Sequence, residues 1–274
     1  MNIVWGFAVT AATTAVAVTA LLLVRRRAPE DGFFTDGDRA AGVFGVLATG
    51  FSVILGFIIF LAFASYDQSR IGAEQEALIV VQQVENAQFL PPTAAKALTG
   101  ELVCYGRSVV NGEWPRLRAG SQGDAINPWG VAMFRTLQGV HPETDTQQSA
   151  YDKWREQTSA REEARLDRVH GAAGVIPTPL WIVLLFIAAV IFVFTLFFAD
   201  RSERPLVQGL LIGSVISVMT VLLLLLNGLD DPYHGGVGGL QPTAMERSLR
   251  MVDEALGAIG ADVQLPCNAA GEPV

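Results

Sequence analysis

Charge is scarce in this chain, and four long stretches have none. Asp, Glu, Lys and Arg make up 17% of the 274 residues, and none falls within 3–24, 40–65, 180–199 or 206–226. Intramembrane ionisable groups are the usual marks of proton pumps and ion-coupled transporters. Their absence counts against those classes, and less against a passive pore closed by an apolar constriction. Histidine is nearly as rare. His141, His170 and His234 stand far apart and form no zinc-ligand spacing. No glycine-rich phosphate loop, nucleophile elbow or zinc-protease motif is present. The chain therefore reads as no enzyme, with no cofactor and no metal. A net charge of −8 offers no basic surface for nucleic acid. No strand alternation of useful length appears.

What the chain has in abundance is uninterrupted apolar sequence. Its mean hydropathy is +0.37 and 51% of its residues are hydrophobic. A bilayer core about 30 Å thick takes roughly 20 apolar residues of helix to cross. Backbone amides in hydrocarbon must be bonded within their own segment, so each stretch is expected to be a helix. The fold class is an all-α membrane protein with four transmembrane helices and a helical extramembrane domain between helices two and three. The expected segments are a hairpin over 1–65, the helical domain over 66–178, a second hairpin over 179–227, and a Gly-rich turn, short helix and loose tail over 228–274. A signal peptide carries positive charge before its apolar core. Here Arg25, Arg26 and Arg27 follow it, so helix one is read as retained.

The arginines orient the chain. Loops 25–39 and 200–205 hold six Arg in 21 residues, while 66–178 and the tail together hold 13 Lys or Arg in a far longer stretch. By the positive-inside rule the short loops are cytoplasmic. In a bacterial inner membrane the middle domain and both termini would then be extracytoplasmic. Cys104 and Cys267 share one side in any four-pass topology. In an oxidising compartment they are candidates for a disulfide; in a reducing one, two free thiols.

Within 66–178, residues 67–90 are expected to extend helix two, and Pro91-Pro92 to stop it. Helices are expected over 93–111, 130–137 and 144–170, with a turn-rich stretch over 112–128. Asp67 and Arg70 are placed for an i,i+3 ion pair. Glu74 and Glu76 cannot face each other at i,i+2. In the tail, a helix over 243–259 is expected to start with a capping box at Thr243 and Glu246. Asp230, Asp231 and His234 can be read as a cation site or as a polar helix terminus. Gly209 and Gly213 on helix four, and Gly45, Thr49, Ser52 and Gly56 on helix two, read as packing stripes; a hinge or pore-lining role is the alternative. Opposite the helix-two stripe, Ile54, Phe57, Phe60 and Leu61 are either lipid-facing or a hydrophobic gate.

Several short motifs occur in one order. Arginines follow helix one. Val43-Phe44-Gly45-Val46-Leu47 opens helix two, which ends in Tyr66-Asp67. Then come Glu74-Gln75-Glu76-Ala77, Gly112-Glu113-Trp114-Pro115, Pro179-Leu180-Trp181 and Leu229-Asp230-Asp231-Pro232-Tyr233-His234-Gly235. Together they resemble the bacterial bestrophin-like domain family, a domain of unknown function, over nearly the whole chain. The sequence departs at Asp231, where the family pattern carries Arg before Pro. True bestrophins are pentameric anion channels whose second helix lines a narrow hydrophobic neck. The resemblance implies a homo-oligomer passing chloride or another small anion, with helix two facing the axis through Phe51, Leu55, Phe60 and Phe63. Bestrophins hold their large domain in the cytoplasm, whereas the arginines here place it outside. The alternative function is a non-conducting membrane scaffold or sensor whose helical domain binds a partner.

Overall fold

The computed structural model describes residues 3–29, 32–120, 126–260 and 263–274. Among them the helices in chain order are α1 (Ile3–Arg27), α2 (Gly37–Ala87), α3 (Pro92–Ser108), α4 (Trp114–Arg118), α5 (Pro128–Gln138), α6 (Asp145–His170), α7 (Thr178–Leu196), α8 (Pro205–Asp230) and α9 (Thr243–Ala258). Four of them, α1, the start of α2, α7 and α8, are long and apolar enough to cross a membrane. No strand forms among the described residues beyond a single bridge between Cys267 and Pro273. The helix boundaries follow local chemistry. Proline stands in the first turn of α3, α5, α7 and α8, where its missing N–H costs nothing. Asn127 and Thr144 cap α5 and α6 through side-chain oxygens that accept from Trp129 and Gln147 amides.

The chain divides into two compact units. The first comprises residues 1–64, 174–231 and 235–239, so both apolar hairpins belong to one body. Its α1–α8 seam is built from small and hydroxylated residues. A Cβ on Gly213 would stand 3.4 Å from Thr14 and one on Gly209 3.5 Å from Val18. Thr14 and Ser217 hydroxyls pair at 2.8 Å, and those of Thr13 and Thr220 at 3.2 Å. Small residues let helices approach in lipid, and hydroxyls satisfy each other there. A second cluster joins α2 to α7 and α8 through Phe51, Leu55, Ile58, Ala62, Leu184, Ala188, Ile191 and Leu226.

The second unit comprises 65–173, 232–234 and 240–274. Its core gathers Val80 and Val84 of α2, Leu98, Leu102 and Tyr105 of α3, Trp129 and Met133 of α5, Trp154 of α6 and Met245 and Val252 of α9. Gly72 lets α2 cross α6 closely: a Cβ there would lie 2.5 Å from the Arg168 amide nitrogen.

Three local expectations are corrected. The stretch 112–128 is not all turn: helical structure continues from α3 through a π-turn at Val109–Glu113 into α4, ending at Arg118. Pro115 sits in the first turn of α4, and Trp114 and Leu117 bury against the core, so the Trp-Pro pair starts a helix instead of breaking one. Residues 121–125 of that stretch lie outside the described residues. There is no capping box on α9. Pro242 occupies the cap and Thr243 is already helical, with no side-chain cap bond. The tail is not loose over 263–274. Cys267 is bonded to Cys104, with Cα atoms 5.8 Å apart. Trp129 Nε1 donates to the Gly271 carbonyl at 2.7 Å, and Val274 N to the Pro266 carbonyl at 3.1 Å. Gly271 has φ +83° and approaches the α3 backbone so closely that a Cβ would collide with Ser108 N, which restricts this position to glycine.

Candidate functional site

At about 100° per residue, the membrane segment of α2 presents three faces. The first is buried: Phe51 (5% exposed), Leu55 (2%), Ile58 and Ala62 pack against α7 and α8. The second runs through Gly45, Thr49, Ser52 and Gly56 to Phe63, with Phe60 at its edge, and all are exposed. A Cβ added at Gly45 or Gly56 would meet nothing within 4 Å. The third face, Val43, Val46, Val53, Ile54, Phe57 and Leu61, is exposed and uniformly apolar.

This sorting changes the expected site. Phe51, Leu55, Phe60 and Phe63 do not share one face. Nine residues separate Phe51 from Phe60, about two and a half turns, so their rings point oppositely. Phe51 and Leu55 are core residues of the single chain, whereas Phe60 and Phe63 are 66% and 52% exposed. The glycine stripes also divide. Gly209 and Gly213 form the α1–α8 seam, while Gly45, Ser52 and Gly56 are exposed, and a Cβ at either of these glycines would meet no described residue within 4 Å. The Ser52 hydroxyl donates to its own helix at Ala48 O, 2.9 Å away.

The Asp230 carboxylate acts as a cap. It accepts from the amides of Val175 and Ile176 at 2.8 and 2.9 Å and from Trp181 Nε1 at 3.1 Å. That use fits the helix-terminus reading of the Asp-Asp-Pro-Tyr-His motif. No cluster of three metal-ligating side chains occurs among the described residues.

The second unit holds an ionic core that sequence reasoning missed. Buried residues on α6 recur at Ala150, Trp154, Gln157, Arg161, Ala164 and Arg168, one helical face with two arginines in it. Arg168 is wholly buried and forks onto wholly buried Glu76 of α2 through Nε and Nη2; its Nη2 also reaches Glu113 at 2.6 Å. Its guanidinium lies 5.6 Å from the Trp114 ring centroid, and that of Arg161 4.8 Å from Tyr105. Tyr105 donates to Glu76, and Tyr233 to the Arg168 carbonyl. Asn127 Nδ2 completes Glu113 at 2.9 Å, and Gln83 Oε1 accepts from Arg161 at 2.7 Å.

The titrations follow from these contacts. Burial alone would raise the Glu113 carboxyl. The charges of Arg168 and Arg165 and the bonds from Arg168 and Asn127 outweigh it and hold Glu113 below the ordinary carboxylate range. Burial likewise works against Arg168, but Glu76 and Glu113 hold its charge more firmly than usual. Burial first, then the Glu76 charge, raises the Tyr105 phenol well above its ordinary value; burial pushes Tyr233 up to about 12. These groups stay in one protonation state across physiological pH and lock the unit. Outside the core, the exposed Asp67–Arg70 pair forms at 2.8 Å and Glu74 joins at 3.0 Å.

The fold has known counterparts. A mutant of a bacterial bestrophin homologue from Klebsiella pneumoniae superposes with a TM-score of 0.68 at 13% identity, covering 93% of this chain and 99% of that one. Another structure of a bacterial bestrophin homologue from Klebsiella pneumoniae gives 0.66 at 13% identity over the same shares. A structure described as a membrane protein gives 0.69 at 13% identity, again over 93% and 99%. At that identity the likeness is one of fold. No curated protein sequence matches the chain. The profile of the bestrophin-like domain, however, matches residues 11–245, from within α1 into α9. With four membrane-spanning helices and a matching fold, this membrane protein belongs to the bestrophin-like domain family.

Proposed function

We propose that copies of this chain associate in the bacterial inner membrane into a homo-oligomeric pore, lined by the small-residue face of α2, that passes chloride or another small anion. The observation that carries this reading is the exposed stripe Gly45–Thr49–Ser52–Gly56, with Phe60 and Phe63 at its end. Small residues in lipid permit close helix approach between copies. Hydroxyls and open backbone suit a permeation path, and large exposed rings suit an apolar constriction. Phe60 and Phe63 are the constriction; Phe51 and Leu55 support it from within the chain. The apolar stretches 3–24, 40–65, 180–199 and 206–226 carry no carboxylate, which is compatible with anion passage, since cation pores use Asp or Glu rings.

The test is chloride flux from vesicles reconstituted with the full chain. Phe60→Ala and Phe63→Ala are expected to raise it, because each removes a bulky apolar ring from the narrow part. Flux unchanged in both variants, with the oligomer intact, counts against the assignment.

The orientation forms part of this reading. The Cys104–Cys267 disulfide favours an oxidising compartment, and the arginine-rich short loops favour the cytoplasm. The second unit and both termini are therefore read as extracytoplasmic. Ser159→Cys, at an exposed position of α6, in a chain with Cys104→Ser and Cys267→Ser, should react with an impermeant maleimide in intact cells. Labelling only after lysis refutes the orientation.

A second reading, a non-conducting scaffold or sensor, draws on one observation. Ile126 and Phe134 of the second unit are 79% and 60% exposed beside a cleft of about 310 Å³ that Arg165 and Glu162 also line. A folded oligomer without flux, and with a protein partner lost on Phe134→Ser, would favour it.

A further inference from the structure

The outer face of the α1–α8 pair carries a groove of about 620 Å³, lined by Thr14, Val18 and Leu22 on one side and Leu206, Gly209 and Ser214 among those on the other. Gly209 and Gly213 make it, because no side chain there fills the space between the helices. Its volume lies within the range of small-molecule sites, about 300–1,000 Å³. Its walls are almost wholly apolar, and they belong to helices that span the membrane.

One end of this groove is basic. Thr14, Val18 and Leu22 follow at i+4 steps along α1, and the next step is Arg26. On the other wall, Arg204 directly precedes Pro205, which itself lines the groove. Arg25 and Arg201 clamp this end. Arg25 Nε donates to the Asp200 carbonyl at 2.8 Å and Nη2 to Arg201 O at 3.0 Å, while Arg201 Nε donates to Arg25 O at 3.1 Å. Those two arginines are thus spent on backbone carbonyls. The Asp200 carboxylate is spent on Ser202. Arg26, Arg27 and Arg204 are exposed, and none of the three guanidiniums has an acceptor among the described residues. Helix α8 also begins here without a side-chain cap, so the positive end of its dipole adds to the field.

An apolar groove ending in exposed arginines that have no acceptor among the described residues, at a membrane surface, suits an amphipathic anion. We propose that the α1–α8 groove binds an anionic phospholipid, with an acyl chain along Val18, Leu22, Gly209 and Ser214 and the headgroup phosphate at Arg26 and Arg204. Basic pockets between membrane helices hold anionic headgroups by the same logic. The site is separate from the α2 face and does not depend on conduction.

The test is native mass spectrometry of the full chain, incubated in detergent with phosphatidylglycerol or with phosphatidylcholine of the same chains. Retention of phosphatidylglycerol, and not of phosphatidylcholine, is expected. Arg26→Gln with Arg204→Gln should weaken it about 30-fold, the loss of two arginines near an anionic surface. Ser214→Trp, which fills the groove from its exposed side, should abolish it without changing any arginine. Equal retention of both lipids overturns the proposal. So does sensitivity to the arginine variants alone, which would mean diffuse attraction to a charged surface. So does an oligomer that falls apart on Ser214→Trp with lipid retention unchanged, which would mean that a neighbouring copy occupies the groove. Thermal unfolding of each variant in the same detergent separates these outcomes from misfolding.

Discussion

Arg168→Met tests the ionic core most directly. The native side chain makes a forked contact with Glu76, at 3.2 Å for its Nη2–Oε1 arm, and a 2.6 Å contact with Glu113. Glu76 is wholly buried and the Glu113 side chain is 10% exposed. Methionine of similar length fills the volume but leaves two carboxylates facing apolar surface. Asn127 and Arg165 still serve Glu113, whereas among the described residues Glu76 keeps the Tyr105 hydroxyl alone. Breaking a buried pair by removing one partner costs about 3–5 kcal/mol. For a body of this size, about 2–4 °C is lost per kcal/mol, so melting should fall by about 6–20 °C. The assay is thermal unfolding of the full chain in detergent, followed by the fluorescence of Trp114, Trp129 and Trp154, which are all buried in this unit. Adding Glu76→Gln to Arg168→Met removes the stranded charge, so the double variant should recover part of the loss, with coupling above about 1 kcal/mol. A single variant that melts within about 3 °C of the parent would refute the claim that this pair is dry and strongly coupled.

Other perturbations follow from the same packing. Gly72→Ala should destabilise by about 1–3 kcal/mol, because the added methyl meets α6 backbone at 2.5 Å and not a flexible side chain; the same melts would show it. Cys104→Ser with Cys267→Ser should cost about 2–5 kcal/mol, given a closed loop of 163 residues. It should also raise amide exchange over 263–274; exchange that stays slow would mean that the Trp129 and Val274 bonds hold the strap alone. Glu113, held below its unfolded value, contributes stability that is present above about pH 4.5 and lost as pH falls toward its folded pKa. Glu113→Gln should thus be less stable than the parent at pH 7, with the gap closing in acid. Glu101 has the opposite sign. Burial raises its carboxyl, with the Thr136 bond only partly offsetting this. Stability is then lost as pH rises through the folded value, and Glu101→Gln should raise the melting point at pH 7 but not at pH 4.

What was legible in the sequence was set by the solvent. Hydrocarbon tolerates only satisfied backbone and apolar surface, so all four spans stood out as uncharged runs. The long extension of α2 and the polar helix α6 were legible as elements, the first from its Pro91-Pro92 stop, but not their buried faces: Ile71 and Leu78 of α2, and Phe89 just after it, are exposed. The ionic core was not. On its own helix Glu76 has Glu74 two positions before it, while its partner Arg168 lies 92 residues on. The signal that could have found it was the spacing 154, 157, 161, 164, 168 on α6. There Arg161 and Arg168 occupy positions that a core-facing stripe normally gives to apolar residues, which hid the stripe from a hydrophobicity count. The division of α2 was within reach. Phenylalanines at 51, 60 and 63 look alike as letters, but helical arithmetic sets the first opposite the second.

The disulfide constrains the fold in a way independent of hydropathy. Cys104 on α3 and Cys267 on the terminal strap are bonded, so the chain between them must cross the membrane an even number of times. α7 and α8 supply two crossings. Were either only a re-entrant or core helix, the two cysteines would face opposite compartments and could not meet. Tyr233, just after α8, makes the same demand by a different bond, since its hydroxyl donates to the carbonyl of Arg168, before α7. The hairpin is thus bounded at both ends by segments that return to one extramembrane body. Only one of those two attachments requires oxidation. Under reducing conditions Tyr233 should still tie the chain after α8 to the ionic core, while the strap beyond α9 loses its covalent hold. A reductant that destabilises the strap but leaves the Arg168-dependent melting loss unchanged would demonstrate this division. Loss of both together would show that the ionic core depends on the disulfide and that Tyr233 does not hold the returning chain by itself.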